Sequence, residues 1–495
     1  MATTSVAGSW SAGEHHCGHC VHGSHLLPMD RRSPEPSHTR DGWTTGIGRD
    51  LLLYPTPERP TNAGSARRGV RRQAAPPSPE GVSAMTRHVV VLGAGTAGTM
   101  LANKLRRKLD DTWVITVVDR DDAHPYQPGF LFVPFGGSTD GLVRSRHAFV
   151  HDGVELVLEG VDRVDAAAQE VLLLDGRLLP YDYLVIASGA SLRPDQTPGM
   201  LGPEWRRSIF DFYTLDGAKA LAGALRDFRG GRLVVHITDV PIKCPVAPLE
   251  FTFLADDWLR RRGLRTSTTL TYVTPLDGAF TKPLASQRLG SMLSDRDVAV
   301  EPDFLVEHIE DRTLVSYDGR EVPFDLLVTV PLHMGAEFVT RSGLGDELGF
   351  VPVDKHTLQS TADPHIFAVG DAADLPTSKA GSVAHFSVDV LVDNLVELAA
   401  GRPMSHSFDG HANCFVESGD GKALLLDFNY ETEPLPGTFP APYVGPMSLL
   451  KESRTNHLGK LAFRWVYWNV LLPGRPMPLA PAMSMAGKQT SSTTT

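Results

Sequence analysis

The sequence has few cysteines, no long apolar run and no long basic block. Four cysteines in 495 residues do not make a disulfide framework, so each stands as a metal ligand, a redox thiol or an inert core residue. No uninterrupted apolar stretch reaches the roughly 18 residues that a membrane-spanning helix needs, so any membrane contact is expected to be peripheral. With 58 acidic against 47 basic residues, a net charge of −11 and no basic block, no nucleic acid is expected as partner. What remains is an ordinary soluble composition, 42% hydrophobic and 21% charged, in a chain long enough for two or three domains.

Residues 1–84 are rich in Pro, Arg, Ser, Gly and His without periodicity, and are expected to be a disordered leader, because such a composition buries too little apolar surface to offset the entropy of ordering. Arg31 and Arg32 are followed by Ser-Pro-Glu-Pro-Ser and lack the apolar core of a secretory signal. The run His15-His-Cys17-Gly-His-Cys20, with His22 and His25, offers a CxxC flanked by imidazoles, but no second pair follows at zinc-finger spacing and no metal site is expected. Met85, directly before the first apolar strand, has the look of a natural start, which would make the leader an upstream misassignment.

The strongest signal lies between His88 and Asp119. An apolar run of β-branched residues feeds into Gly93-Ala-Gly95-Thr-Ala-Gly98, which opens an amphipathic stretch ending near Leu109. Gly93 permits the tight turn, Gly95 lets the backbone approach a pyrophosphate and Gly98 lets helix and strand pack closely. A second strand, Trp113–Val118, ends at Asp119, where a carboxylate can accept from ribose hydroxyls. The loop from His124 through Gln127 to Pro134, dense in Pro, Gly and aromatics, suits either the wall of a planar-ring site or a packed surface loop. Two further patterns, Tyr181-Asp-Tyr-Leu-Val-Ile-Ala187-Ser-Gly189 and Ile366-Phe-Ala-Val-Gly370-Asp371, resemble the other FAD signatures of flavoprotein disulfide reductases. The resemblance implies FAD, with Asp371 accepting from the ribityl chain.

Between these signatures, that superfamily inserts a second Rossmann unit with its own glycine turn for NAD(P)H. Here the strand Arg232–Thr238 is followed by Asp239-Val-Pro241-Ile-Lys243-Cys244-Pro245-Val-Ala-Pro248-Leu-Glu250, without glycine. A proline-laden backbone approaches a pyrophosphate poorly, so NAD(P)H is not expected there. Cys244 precedes a helix expected over Leu249–Leu259 and adjoins Lys243, both of which favour thiolate over thiol. A lone cysteine is more often inert core; the missing glycines favour the functional reading.

Pro-Ile-Lys-Cys244, Leu375-Pro-Thr-Ser-Lys379, Cys414 ahead of the strand Ala423–Tyr430, Glu433-Pro and Tyr467-Trp-Asn together resemble the sulfide:quinone oxidoreductases, over about His88 to Pro476. Pro245-Val246 depart from the small residues commoner in relatives, which bears on substrate scope. The resemblance implies an α/β fold of two Rossmann-like dinucleotide-binding domains, glutathione reductase-like, plus a small C-terminal domain. Its expected bounds are 85–200 and 331–400 for the FAD domain, 201–330 for the second Rossmann-like domain, and 401–495 for a quinone- and membrane-associated region.

The resemblance further implies that Cys244 and Cys414 form a disulfide or sulfur-bridged pair, which hydrosulfide opens to a persulfide and a thiolate; two electrons then pass through FAD to a membrane quinone, yielding polysulfide or persulfide. Cys244 is placed nearest the flavin and Cys414 as persulfide carrier. Glu250 matches a family carboxylate near the quinone and is read as a proton relay, against a solvated helix residue. Lys379 is expected as a cation beside the flavin or quinone, against a surface lysine. Some members tether FAD through a third cysteine; none lies between residues 20 and 244, so non-covalent FAD is expected. The segment Asn456–Leu472 interleaves aromatics and cations as an interfacial helix does, against a core-packing helix. The expected location is peripheral, on the cytoplasmic side of the cell membrane, with a homo-oligomer left open. Two alternatives stay open, a type II NADH:quinone oxidoreductase and a non-catalytic flavin-binding persulfide carrier.

Overall fold

The computed structural model describes residues 86–440 and 445–490. The expected leader with Cys17 and Cys20, and Met85, lie outside them. Strand β1 (Arg87–Leu92) ends in three valines and a leucine, Val89 to Leu92, all fully buried, the pattern of a strand covered on both faces. Helix α1 (Thr96–Lys108) crosses to β2 (Trp113–Asp119), which lies parallel to β1 with Val89 opposite Ile115. Strands β3 (Glu155–Leu158) and β4 (Tyr183–Ile186) flank this pair.

A second sheet follows from β5 (Ile209–Phe210), β6 (Gly231–Ile237), β7 (Thr268–Val273), β8 (Ala299–Glu301) and β9 (Leu326–Val330). Helix α2 (Ala247–Arg261) joins β6 to β7. It extends two residues beyond the expected helix at each end, since Pro248 is at home in a first turn. The chain then returns to the first sheet through β10 (Ile366–Ala368) and helix α3 (Gly381–Ala399). The strand orders are β10-β4-β1-β2-β3 and β5-β9-β6-β7-β8, every pairing parallel. The chain thus has the α/β fold of two Rossmann-like units expected from its motifs.

Strands β11 (Ala412–Gly419) and β12 (Lys422–Phe428) form an antiparallel pair at one side of a third, four-stranded sheet, and helix α4 (Arg454–Val466) packs on it. One buried cluster runs without a break through Val91 of the first sheet, Val235 of the second and Leu424 of the third, with Cys414 inside it. Among the described residues, no helix is long and apolar enough to cross a membrane.

Candidate active site

The β1–α1 turn is built as its glycines require. Gly93 has φ +110°, and a Cβ there would lie 2.5 Å from the Ala187 carbonyl oxygen; one on Gly98 would lie 1.8 Å from the Gly93 carbonyl oxygen. Around the Cβ position of Gly95, by contrast, there is open space within 4 Å. Helix α1 begins there with no side-chain cap and no acidic residue in its first turn, so its free N–H groups face that space. Ala187 N donates to the Leu92 carbonyl at 2.8 Å, and Gly189 turns at φ +71° into open space. Gly370 has φ +69°, and a Cβ there would lie 3.0 Å from the Ala97 methyl, so Asp371 stands beside the first turn of α1. The buried Ser188 hydroxyl in this bend has no partner among the described residues. An open glycine cradle, an uncapped helix end and an orphaned hydroxyl fit a bound dinucleotide.

Asp119 carries more than the ribose role expected of it. Its carboxylate accepts from Ala94 N at 2.8 Å and pairs with the buried Arg146 at 3.1 Å. Arg146 also donates to the Ala94 carbonyl at 2.5 Å and the Asp121 carbonyl at 2.7 Å. Burial pushes the Asp119 carboxyl up, and Arg146 opposes that shift. No periodicity pointed to Arg146, which lies 27 residues further along. Gln127, expected in the cofactor wall, instead stands exposed at the start of a 3-10 segment, Gln127–Phe135. His124 makes that loop's contact, with Nδ1 3.2 Å from the Ala94 carbonyl and Nε2 2.8 Å from the Tyr467 hydroxyl, itself 2.7 Å from Thr96 Oγ1. Burial holds the His124 imidazole neutral, pushed down to about 4.

In the second Rossmann-like unit the corresponding turn contains Cys244 in a left-handed conformation, φ +48°. A non-glycine residue there costs about 1 kcal/mol and persists only where its surroundings hold it. Cys244 N donates to the Lys379 carbonyl at 2.7 Å, Cys244 O accepts from Ala247 N at 2.8 Å, and Tyr213 donates to the same oxygen at 3.3 Å. The surface reading of Lys379 is therefore wrong. Its ammonium is buried over the Phe350 ring and donates to the Asp371 carbonyl at 2.9 Å and the Ala373 carbonyl at 3.0 Å. Lys379 thus ties the Gly370-Asp371 loop to the Cys244 turn.

Cys414 lies buried on β11, and its sulfur and that of Cys244 each sense the charge of the Glu250–Lys460 pair, with Cys244 also acting on Cys414. Both are free cysteines, Cys244 half-buried and Cys414 buried. The expected thiolate on Cys244 is not found. Burial pushes its thiol up to about 12, with Glu250 adding to the shift. The charge of Lys243 faces Asp371 and Asp211 instead, and burial pushes the Cys414 thiol up further still.

Glu250 is not a solvated helix residue: it is 1% exposed. Its carboxylate takes an ion pair from Lys460 of α4 and accepts from Glu417 N at 2.7 Å. Burial raises its carboxyl while Lys460 opposes. Glu417 in turn pairs with His457 at 2.9 Å. Helix α4 is capped by Ser453, which accepts from Asn456 N at 3.1 Å. It turns His457, Lys460 and Arg464 inward and leaves Leu458, Leu461 and Trp465 at 62%, 48% and 65% exposure, whereas Tyr467 and Trp468 beyond it are buried. The core-packing reading thus describes Tyr467 and Trp468, while the α4 face that carries Leu458, Leu461 and Trp465 is exposed.

Residues 87–235 match the family model described as pyridine nucleotide-disulphide oxidoreductase. With this match, fold and cradle, the chain is an FAD oxidoreductase whose first Rossmann-like unit is similar to that of the disulphide oxidoreductases. Over most of its length it resembles the sulfide:quinone oxidoreductases. It is 28% identical over 400 residues to the mitochondrial sulfide:quinone oxidoreductase of Dictyostelium discoideum, covering 78% of this chain and 86% of that one. To the sulfide-quinone reductase of Aquifex aeolicus it is 24% identical over 416 residues, covering 78% and 91%. The solved structure of the Aquifex aeolicus enzyme superposes with a TM-score of 0.66 at 20% identity, covering 79% of this chain and 92% of that one, which is a likeness of fold.

Proposed function

We propose that the protein oxidises sulfide at the Cys244/Cys414 pair and passes two electrons through FAD to a membrane quinone, releasing polysulfide or persulfide. The observation that carries this reading is the exchange at one topological position. Where the first Rossmann-like unit has an open glycine turn, the second has Cys244, held against Lys379 and sharing the Glu250–Lys460 pair with Cys414. When bound, FAD supplies the two-electron acceptor for the reduced pair and the donor to the quinone.

The chain's own residues do the rest. Gly93, Gly95 and Gly98 let the backbone meet the pyrophosphate, Asp119 and Asp371 hold the sugar and ribityl hydroxyls, and Ala187 and Gly189 shape the bend beside them. No cysteine lies between residues 20 and 244, which supports a non-covalently held flavin. In the oxidised pair, hydrosulfide attacks one cysteine sulfur. The S–S bond breaks, a new one forms to the incoming sulfur, and the electron pair leaves on the other cysteine as thiolate. Cys414 carries the persulfide and Cys244 stands nearer the flavin. Glu250, buried beside both sulfurs, accepts and returns the proton. Leu458, Leu461 and Trp465 form an apolar face that docks on the cytoplasmic surface of the cell membrane, giving a lipid quinone a short path. Assembly as a homo-oligomer is compatible with this docking.

Steady-state quinone reduction with sulfide as the sole donor tests this reading. Turnover that requires both cysteines supports it. Sulfide binding without quinone reduction would leave a persulfide carrier, and turnover with NADH alone would make the protein an NADH:quinone oxidoreductase.

A further inference from the structure

A cation from α4, Lys460, acts on both thiols. Lys460 lies 216 residues beyond Cys244 in sequence, on the inward face of the helix whose other face carries Leu458, Leu461 and Trp465. Two carboxylates act on it, Glu250 and Glu417. Glu417 is already engaged by His457, at 2.9 and 3.0 Å to its two oxygens. Glu250 accepts from Glu417 N at 2.7 Å and, among the described residues, is otherwise paired with Lys460. The groups facing Cys244 are Glu250 on α2, Lys460 on α4 and Asp371 after β10; those facing Cys414 are Cys244, Glu250, Lys460 and Asp427 on β12.

We propose that Lys460 is the positioning residue of the dithiol, a single counter-ion shared between Glu250 and the sulfurs, so that a thiolate forms when the thiol proton passes to Glu250 and Lys460 turns from carboxylate to sulfur. This rests on the sulfur-site reading above and deepens it. The balance is simple: the S–H bond breaks, its electron pair stays on sulfur, the proton joins the Glu250 carboxylate, and the pocket keeps one positive and one negative charge throughout. A buried pocket tolerates that exchange far better than an added charge. It explains how cysteines whose thiols are pushed up by burial still supply a thiolate, and why the two groups are paired at the sulfur site rather than at the surface.

The test is the rate of iodoacetamide alkylation of Cys244 and Cys414 in the reduced flavin-bound protein at a fixed pH near 8, resolved by peptide mass spectrometry. When the pH lies far below a thiol's pKa, that rate follows the thiolate fraction, which rises about tenfold each time the pKa falls by one. Glu250→Gln frees the lysine and should speed alkylation at least tenfold. Lys460→Met should slow it at least tenfold, and Lys460→Arg should stay within a few-fold of the native rate. The double variant Glu250→Gln/Lys460→Met, which buries no lone charge, should behave like Lys460→Met. If Glu250→Gln still accelerates the reaction without Lys460, or if flavin-bound Lys460→Met reacts at the native rate, the shared counter-ion is wrong. Neither outcome depends on sulfide turnover, so the sulfur-site reading stands or falls separately.

Discussion

The two Rossmann-like units carry the same parallel five-stranded plan and opposite first turns. In the β1–α1 turn, side chains are missing where the backbone must come close, and the space left at Gly95 is open. The β6–α2 turn carries Pro241, Lys243, Cys244 and Pro245 in place of glycines, with Cys244 in a left-handed conformation that the Lys379 carbonyl holds. A parallel sheet delivers its first turn to the same place in both halves, so the residues in that turn decide whether it receives a phosphate or a sulfur.

The comparison breaks most severely at Gly98. A valine there would push its Cβ into the Gly93 carbonyl, 1.8 Å away, so Gly98→Val should abolish flavin binding and most soluble yield, read as the flavin-to-protein ratio. On the other side, Cys244→Ser and Cys414→Ser should each keep full flavin content while sulfide-dependent quinone reduction falls at least about 100-fold. The double variant should be no worse than either, because residues that act as one unit fail together.

These effects fall where local sequence was most informative. The glycine turn, its flanking strands and the Gly370-Asp371 signature are legible because each is a short pattern whose geometry is fixed by neighbours in sequence. The pairings that set the electrostatics are not. Arg146 reaches Asp119, Lys460 reaches Glu250 and His457 reaches Glu417 across gaps that no period records. The expectation of a thiolate failed for the same reason: a helix terminus and an adjacent lysine are visible in sequence, whereas burial of the thiol and the turning of Lys243 toward Asp371 are properties of the packed site. In the loop after β2 the fold leaves Gln127 exposed, whereas His124 reaches the Ala94 carbonyl, a contact that no sequence period marks.

A smaller effect is expected at Asp119. Asp119→Asn keeps the shape but loses the ion pair with Arg146, and flavin affinity should fall about tenfold to 100-fold, the range for one charge-assisted hydrogen bond. It is measured by titrating FAD into the apoprotein. The smallest effect belongs to the outer face of α4. Leu458→Ser with Trp465→Ser removes exposed side chains, so stability should change by no more than about 0.5 kcal/mol per site. The share of protein bound to anionic vesicles should nevertheless drop, and the KM for a long-chain quinone should rise more than that for a soluble one. Unchanged vesicle binding would remove the membrane role from this helix.

The difference between the two turns is tested most directly by anaerobic titration of the flavin-bound protein, first with sulfide and then, in a separate sample, with NADH, following flavin absorbance. A turn rebuilt around sulfur predicts rapid, stoichiometric bleaching by sulfide and none of comparable rate by NADH. Rapid bleaching by NADH with an unresponsive flavin in sulfide would contradict it.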